Sequence, residues 1–291
     1  MAGKFTLTTR IPNIETWLNM LLQRLFPAWY AVRYAREMKI GQLGELNPRS
    51  FLCHRWLSLP AIHASAAEAL ENAGPLWQEA ATLLRKVTRH KVHKRYLSIT
   101  NLLAIESCDS DLDYPNMVAF AEALCADKVP DSADDFSILL NQTFNEQNAP
   151  FPVAYRELDG RYYYKNQDDG TALGALLLAC RDKGRDVKLN CEIEVESCNE
   201  KVLESLRARY WVLLMPREAA YQLNYLIREA KLQCQIAEFE WRRTDLVFLV
   251  LKRNHPRLNE IAEAICHSRM PLKVLDWGRF LSSHQVPFRN R

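Results

Sequence analysis

The sequence predicts an α+β protein, and three observations lead to this prediction. Residues 14–25 repeat apolar side chains at helical spacing, as several later segments do. Residues 187–196 alternate strictly between apolar and polar side chains, which is typical of a strand with one buried face. Residues 210–277 alternate short apolar runs with amphipathic helical runs. The 291 residues, 48% of them hydrophobic, are enough for one large domain or two of ordinary size.

The C-terminal run predicts a β-α-β-β-α-β unit at about residues 210–277. Its helices start at Pro216 and Pro256, since proline suits the first turn of a helix. The predicted strands are 210–215, 234–241, 245–252 and 272–277. This order is that of a ferredoxin-like sheet, whose first and third strands are central. Those two strands are continuously apolar, so we expect both sheet faces to be covered, by preceding elements, a partner chain or a ligand.

The rest of the chain divides into two regions that we expect to pack closely, because the chain has only 9 glycines and no linker-like stretch. Residues 1–150 predict a mainly helical region, in which the apolar stripe of residues 14–25 faces the core. Residues 151–291 predict an α+β region, in which the strand at 187–196 and a hairpin extend the ferredoxin-like unit.

The hairpin is predicted from two β-prone segments, 154–158 and 161–165, on either side of Asp159-Gly160. This dipeptide suits a type I′ turn, which needs positive φ at both central positions. Tyr162, Tyr163 and Tyr164 follow the turn, so at least one ring is expected to be exposed as a contact surface. Cross-strand aromatic pairing is the alternative.

Charge is distributed unevenly along the chain, although the net charge is only +3. Residues 1–100 carry 14 Lys/Arg and 6 Asp/Glu, a net +8, whereas residues 101–169 carry 4 and 14, a net −10. Such a division indicates either partner surfaces or two regions that attract each other within the fold.

Cysteine usage and hydropathy predict a soluble cytoplasmic protein. The eight cysteines form no C-x-x-C pair, and several lie within apolar periodicity, where reduced thiols behave as small hydrophobic side chains. The sequence shows no pattern typical of a secretion signal and no apolar run of about 20 residues, so we expect neither secretion nor a membrane-spanning helix.

The acidic run at residues 106–113 is a candidate Mg²⁺ or Mn²⁺ site. Its carboxylates at Asp109, Asp111 and Asp113 are hard oxygen ligands at alternate positions, as phosphoryl chemistry would require. An EF-hand is excluded, because Tyr114 and Phe120 occupy the positions that need glycine and glutamate. An acidic loop that stabilises a helix N-terminus is the alternative. Apart from this possible Mg²⁺, no cofactor is predicted.

The basic run at residues 85–95 is the candidate polyanion-binding site. Six cations and two histidines in eleven residues could neutralise phosphates or another polyanion. The candidate residues are Arg85, Lys86, Arg89, Lys91, Lys94 and Arg95. The alternatives are a solvated basic helix end, which complements its own dipole, and docking onto the acidic middle of the chain.

No catalytic motif is present in the sequence. There is no G-x-S-x-G and no phosphate-binding loop, and His90 and His93 lack partners at zinc-ligand spacing. An RNA-recognition motif is excluded, because residues 243–248 lack the required glycine and aromatic pair.

The leading hypothesis is therefore a non-catalytic binding or regulatory protein that acts on a protein or nucleic-acid partner, without a membrane. A divalent-metal enzyme using the aspartate cluster is one alternative. A protein that self-associates through the second face of the C-terminal sheet is the other.

Overall fold

The computed structural model describes residues 14–37, 59–105, 114–144, 150–165, 170–239, 245–266, 274–283 and 285–288. These residues form eleven α-helices and two β-sheets, so the α+β class is confirmed. The helices are α1 (Ile14–Leu25), α2 (Pro27–Glu37), α3 (Leu59–Asn72), α4 (Gln78–Lys86), α5 (Met117–Leu124), α6 (Ala133–Phe144), α7 (Gly170–Asp182), α8 (Glu200–Arg209), α9 (Arg217–Glu229), α10 (Pro256–Cys266) and α11 (Trp277–Ser283). The strands are β1 (Thr88–Ser98), β2 (Leu102–Ile105), β3 (Phe151–Arg156), β4 (Arg161–Tyr164), β5 (Lys188–Cys198), β6 (Tyr210–Pro216), β7 (Cys234–Ala237), β8 (Leu246–Lys252) and β9 (Leu275–Asp276).

The first sheet has five strands in the order β1-β5-β3-β4-β2. Its inner face packs on α5, α6 and α7 through a core that includes Phe120, Leu176 and Ile193. The boundary predicted at residue 150 lies inside this sheet, because β1 and β2 precede it and the other three strands follow it. The predicted extension of the C-terminal unit is therefore wrong: β5 and the hairpin pair with β1 and β2 in a sheet of their own.

The second sheet has four antiparallel strands in the order β7-β8-β6-β9. The continuously apolar strands β6 and β8 are central, as their pattern predicts, and the elements follow the order β-α-β-β-α-β. One face packs on α9 and α10, with α2 also in this cluster. The other face packs on α3, α4, α8 and α11. Helices of the same chain thus cover the second face, and the hypothesis of self-association through that face is wrong.

Only the first two residues of the basic run, Arg85 and Lys86, form a helix end. α4 ends at Lys86, after its apolar side chains Ala80, Ala81 and Leu84, and the chain continues as β1 from Thr88. An eleven-residue antiparallel ladder with β5 provides the backbone hydrogen bonds that a longer helix would have made. A 3₁₀ turn at Ile99–Asn101 separates β1 from β2.

The β3–β4 hairpin has a longer turn than the sequence predicts. Pairing ends at Arg156 and Arg161, so four residues form the loop. Of the Asp159-Gly160 pair only Gly160 has a positive φ, 69°, so the type I′ prediction is wrong. The turn differs because the Asp159 side chain is directed inward, where it forms a buried ion pair with Arg156. Tyr163 and Tyr164 are buried and Tyr162 is half-buried, with its ring centroid 4.8 Å from that of Tyr155. The alternative of cross-strand aromatic pairing thus applies.

The apolar stripe of α1 does not face the core. Trp17, Leu18, Leu21 and Leu25 are 37–59% exposed, because α1 packs mainly on α2 and lies outside the second sheet's helical layer. The prediction of a core-facing helix is therefore wrong for these side chains.

Candidate binding surface on the basic edge strand

Strand β1 lies at the edge of the first sheet and carries most of the basic run. Its eleven residues pair with β5 in an uninterrupted register, from Thr88 opposite Cys198 to Ser98 opposite Lys188. Among the residues that the structure describes, no other strand pairs with β1. Its outer edge therefore presents a row of backbone N–H and C=O groups without a strand partner in the described sheet.

Two of the six candidate cations belong to the end of α4. The Arg85 guanidinium forms a bidentate ion pair with the carboxylate of Glu71 on α3, in which Nη2 donates to Oε2 at 2.8 Å. Lys86 is exposed in the last helical turn, where a positive charge complements the helix dipole. These two residues thus match the structural alternative of a basic helix end.

The other four candidates lie on the two faces of β1. Arg89, Lys91 and Arg95 share one face with His93, and we call these four residues the basic stripe. Lys94 lies on the opposite face, with its Nζ 3.8 Å from Glu192 Oε2. Side chains two residues apart on a strand are separated by roughly 6.8 Å, so the stripe is a regular row of positive or protonatable groups.

The basic stripe contacts the C-terminal segment at residues 285–288. Arg89 Nε donates to Ser197 Oγ at 2.9 Å, and Lys91 is exposed. The Phe288 ring lies 5.0 Å from the His93 ring, and the Arg95 guanidinium lies 5.8 Å from the Phe288 centroid. The segment that holds Phe288 is fixed by the backbone N–H of Phe288, which donates to Glu157 at 3.0 Å.

The opposite face of β1 is a mixture of apolar and charged groups. Val92 and Tyr96 are 60% and 68% exposed, high values for side chains of this size. His90 Nδ1 and Lys165 Nζ both lie 2.6 Å from Glu194 on β5. Burial alone would raise the pKa of Glu194, but Lys165 and His90 lower it overall. β5 thus already supplies acidic partners to His90 and Lys94 on this face of β1.

A buried polar cluster at the hairpin was missed from the sequence. Arg156 donates to Asp159 and to the Tyr163 hydroxyl, and all three side chains are buried. Burial alone would lower the pKa of Arg156, but Tyr163 and Asp159 raise it, and burial raises the pKa of Tyr163. The sequence pattern that could have indicated this cluster is the strand alternation, which places Arg156 and Tyr163 on the same face of the hairpin. Because these groups are enclosed, a substrate has no access to the cluster in this conformation.

The comparison with protein families gives one match. Residues 92–290 match the family described as "Family of unknown function (DUF6685)". The chain belongs to this family. The DUF6685 match begins within β1, after Arg89 and Lys91, and includes the rest of both sheets. No curated protein and no solved structure matches the chain.

The DUF6685 region also contains the predicted metal ligands, Asp109, Asp111 and Asp113, but these lie outside the described residues. Within the described ranges, no group of three or more His, Cys, Asp or Glu side chains is arranged to hold a metal ion. No helix in the described part of the chain is long and apolar enough to cross a membrane. Mg²⁺ or Mn²⁺ binding by the aspartate cluster stays a prediction that calorimetry can test.

Proposed function

We propose that this protein is a non-catalytic binding protein, and that it captures an acidic, extended segment of a partner protein by strand addition to β1. The observation that carries the proposal is the regular eleven-residue edge strand with the basic stripe on one face. Adding a strand to such an edge satisfies backbone groups of both chains, and side chains at alternate positions give specificity.

The two faces of β1 define the chemistry of the partner segment. Opposite-charge pairs across neighbouring strands stabilise a sheet, so acidic side chains are favoured over Arg89, Lys91, His93 and Arg95. Val92 and Tyr96 favour apolar side chains on the other face. The partner segment therefore alternates acidic and apolar residues. The same cations oppose indiscriminate pairing, because a charged edge disfavours uncharged or basic strands.

Binding of a designed peptide tests the proposal. A fluorescent nine-residue peptide alternates Glu or Asp with Val or Phe, and its binding is followed by fluorescence anisotropy. We expect the double variant Arg89→Glu/Lys91→Glu to weaken binding by about tenfold or more, which corresponds to ~1.4 kcal/mol. Raising the NaCl concentration from about 0.05 to about 0.5 M also weakens binding, because exposed charges are screened.

Two controls separate strand addition from general charge attraction. Arg228→Glu places the same kind of charge reversal on an exposed residue of α9, a helix that packs on the second sheet, and is expected to leave the affinity unchanged within about twofold, as a distant exposed charge is largely screened. A peptide of equal charge with a central proline lacks a ladder donor and is expected to bind much more weakly. Equal binding of the proline peptide and the parent peptide would refute strand addition.

The same experiment also tests whether the basic stripe binds nucleic acid instead of a peptide. If labelled single-stranded RNA binds and the peptide does not, and if Arg89→Glu/Lys91→Glu removes RNA binding, the stripe is a phosphate-binding surface and the proposal is wrong. Phosphate contacts would show a steep dependence on salt concentration.

The finer fold class and the location belong to the same proposal. The strand order β7-β8-β6-β9 supports a ferredoxin-like class for the C-terminal unit. The six cysteines in the described ranges are all free, and five of them are buried, which supports a reducing compartment such as the cytoplasm. Alkylation and mass spectrometry of protein from the source cell would test that location.

A further inference from the structure

The surface formed by α1, α2 and α9 has a ridge and a groove next to each other. The ridge is the outward stripe of α1, formed by Trp17, Leu18, Leu21 and Leu25, all substantially exposed. The groove, with a volume of about 430 Å³, is bordered by Gln23 of α1 and is lined mainly by tyrosines. These tyrosines are Tyr30 and Tyr34 of α2 and Tyr221 and Tyr225 of α9.

We propose that this surface binds a second copy of the chain in a two-fold symmetric dimer, in which the α1 ridge of each copy fills the tyrosine groove of the other. A two-fold interface uses the same patch on both subunits, so the patch must be complementary to itself. A protruding apolar ridge beside an aromatic-lined groove meets this requirement.

The exposed area is sufficient for a stable dimer. Nine large apolar or aromatic side chains of α1, α2, α9 and the residue between α1 and α2 are 37–59% exposed: Trp17, Leu18, Met20, Leu21, Leu25, Phe26, Trp29, Tyr221 and Tyr225. At on the order of 90 Å² each, they leave roughly 800 Å² of mainly apolar surface accessible to water. A standard protein interface buries about 800 Å² on each partner, whereas the largest apolar patch of a typical monomer is about 300–600 Å².

The residue types and charges favour a protein partner over a lipid surface. Trp, Tyr, Phe and Met are enriched in protein interfaces and Lys is depleted, and the described part of α1 has one cation, Arg24. A helix that lies on an anionic membrane carries several cations along its polar face.

The charges also favour a second copy of this chain. Arg24 is exposed on α1, and Glu218 lies at the groove, where it accepts from Gln222 at 3.4 Å and raises the pKa of Tyr34, after the larger effect of burial. In the proposed dimer the α1 ridge of one copy lies in the tyrosine groove of the other. This arrangement brings Arg24 of one copy towards Glu218 of the other.

The test is the mass of the full chain in solution, measured by sedimentation over a range of micromolar concentrations. We expect the wild type to approach twice the chain mass, and Trp17→Glu/Leu21→Glu to stay at the mass of one chain. Both side chains are exposed in the single chain, so the variant is expected to keep its circular dichroism spectrum. Its melting temperature is expected to fall only by the contribution that dimer formation makes to the wild type. Ile138→Glu, at a similarly exposed apolar position on α6, is the matched control and should still dimerise.

Charge exchange makes the test specific for the proposed arrangement. Arg24→Glu should weaken the dimer by about fivefold or more, and Arg24→Glu/Glu218→Arg should restore it, because the exchanged pair is again of opposite sign. A wild type that is monomeric at all concentrations would overturn the proposal, as would a dimer that persists in Trp17→Glu/Leu21→Glu. A monomer that co-sediments with anionic phospholipid vesicles through Trp17 would show that the surface binds lipid instead.

Discussion

The indole N–H of Trp277 donates to Nε2 of His63 at 2.9 Å, joining α11 to α3 across the core. Because Nε2 accepts this hydrogen bond, the proton of the neutral imidazole lies on Nδ1, which donates to Thr88 Oγ1 at 2.8 Å. His63 is completely buried, and burial lowers its pKa to about 3. A single neutral histidine thus connects α3, α11 and the first residue of β1.

His63 predicts how stability depends on pH. The folded-state pKa of about 3 lies below the value of about 6.5 expected for the unfolded chain. Between these values the unfolded state binds more protons, so the free energy of unfolding decreases as the pH falls, by up to ~1.4 kcal/mol per pH unit. Urea unfolding of the wild type at pH 7, 6 and 5 measures this slope.

The variant His63→Gln is the comparison for that measurement. Glutamine can accept from Trp277 and donate to Thr88, but it does not titrate. We expect its slope between pH 6 and pH 5 to be smaller than that of the wild type by about 1 kcal/mol per pH unit. Equal slopes in the two proteins would show that His63 does not control the acid sensitivity.

The buried pair of Arg156 and Asp159 predicts strong coupling between two substitutions. Arg156→Met leaves the Asp159 carboxylate buried without this cation and is expected to cost about 3–5 kcal/mol of unfolding free energy. Arg156→Met/Asp159→Leu removes both charges and is expected to cost less than the sum of the single variants by ~1–3 kcal/mol. Additive effects in a urea-unfolding double-mutant cycle would contradict this prediction.

Gly174 of α7 packs so closely against α5 that a larger side chain at this position is expected to clash. A Cβ atom there would lie 2.7 Å from Cys125 Sγ and 3.3 Å from Ala121 Cβ. Gly174→Ala is therefore expected to destabilise the protein by ~1–3 kcal/mol, although alanine is the better helix former. In a Cys125→Ala background the same change should cost clearly less, as measured by thermal unfolding with Cys125→Ala alone as the reference.

The buried thiols predict low reactivity in the native state. Burial raises the pKa to about 11 for Cys191 and Cys198, and to about 12 for Cys234. At pH 8 their thiolate fraction is on the order of 0.1% or less, so we expect these three to react with iodoacetamide at least ~100-fold more slowly than in denaturant. Peptide mapping by mass spectrometry assigns the label, and rapid native labelling of Cys234 would contradict the burial that the structure shows.

The fold could be predicted from the sequence where one face of an element is buried. β5 alternates because its inner face lies on α7, and β6 and β8 are continuously apolar because helices cover both faces. β1 gave no such signal, because Arg89, Lys91 and His93 occupy the face on which β5 is apolar. An edge strand that carries cations on both faces has no regular hydrophobic period, so the basic run was not predicted to be a strand.

The candidate surfaces were predicted only in part, for a similar reason. The basic run was found from composition, but its division between α4 and β1 depends on pairing with β5, which lies far away in the sequence. For α1, periodicity identified the helix and the apolar stripe correctly but could not show which side faces water. An interface between chains and a core within one chain produce the same helical pattern.

The pairing of Thr88 with Cys198 has a consequence for synthesis on the ribosome. β1 leaves the ribosome well before β5, so the basic strand has no intramolecular ladder until residues 188–198 have been made. Sheets built from such distant contacts form slowly, and an unpaired strand is open to incorrect association in the meantime. Like charges repel, so we expect the cations of β1 to disfavour pairing between the strands of two nascent chains, in addition to their proposed role in capturing a partner.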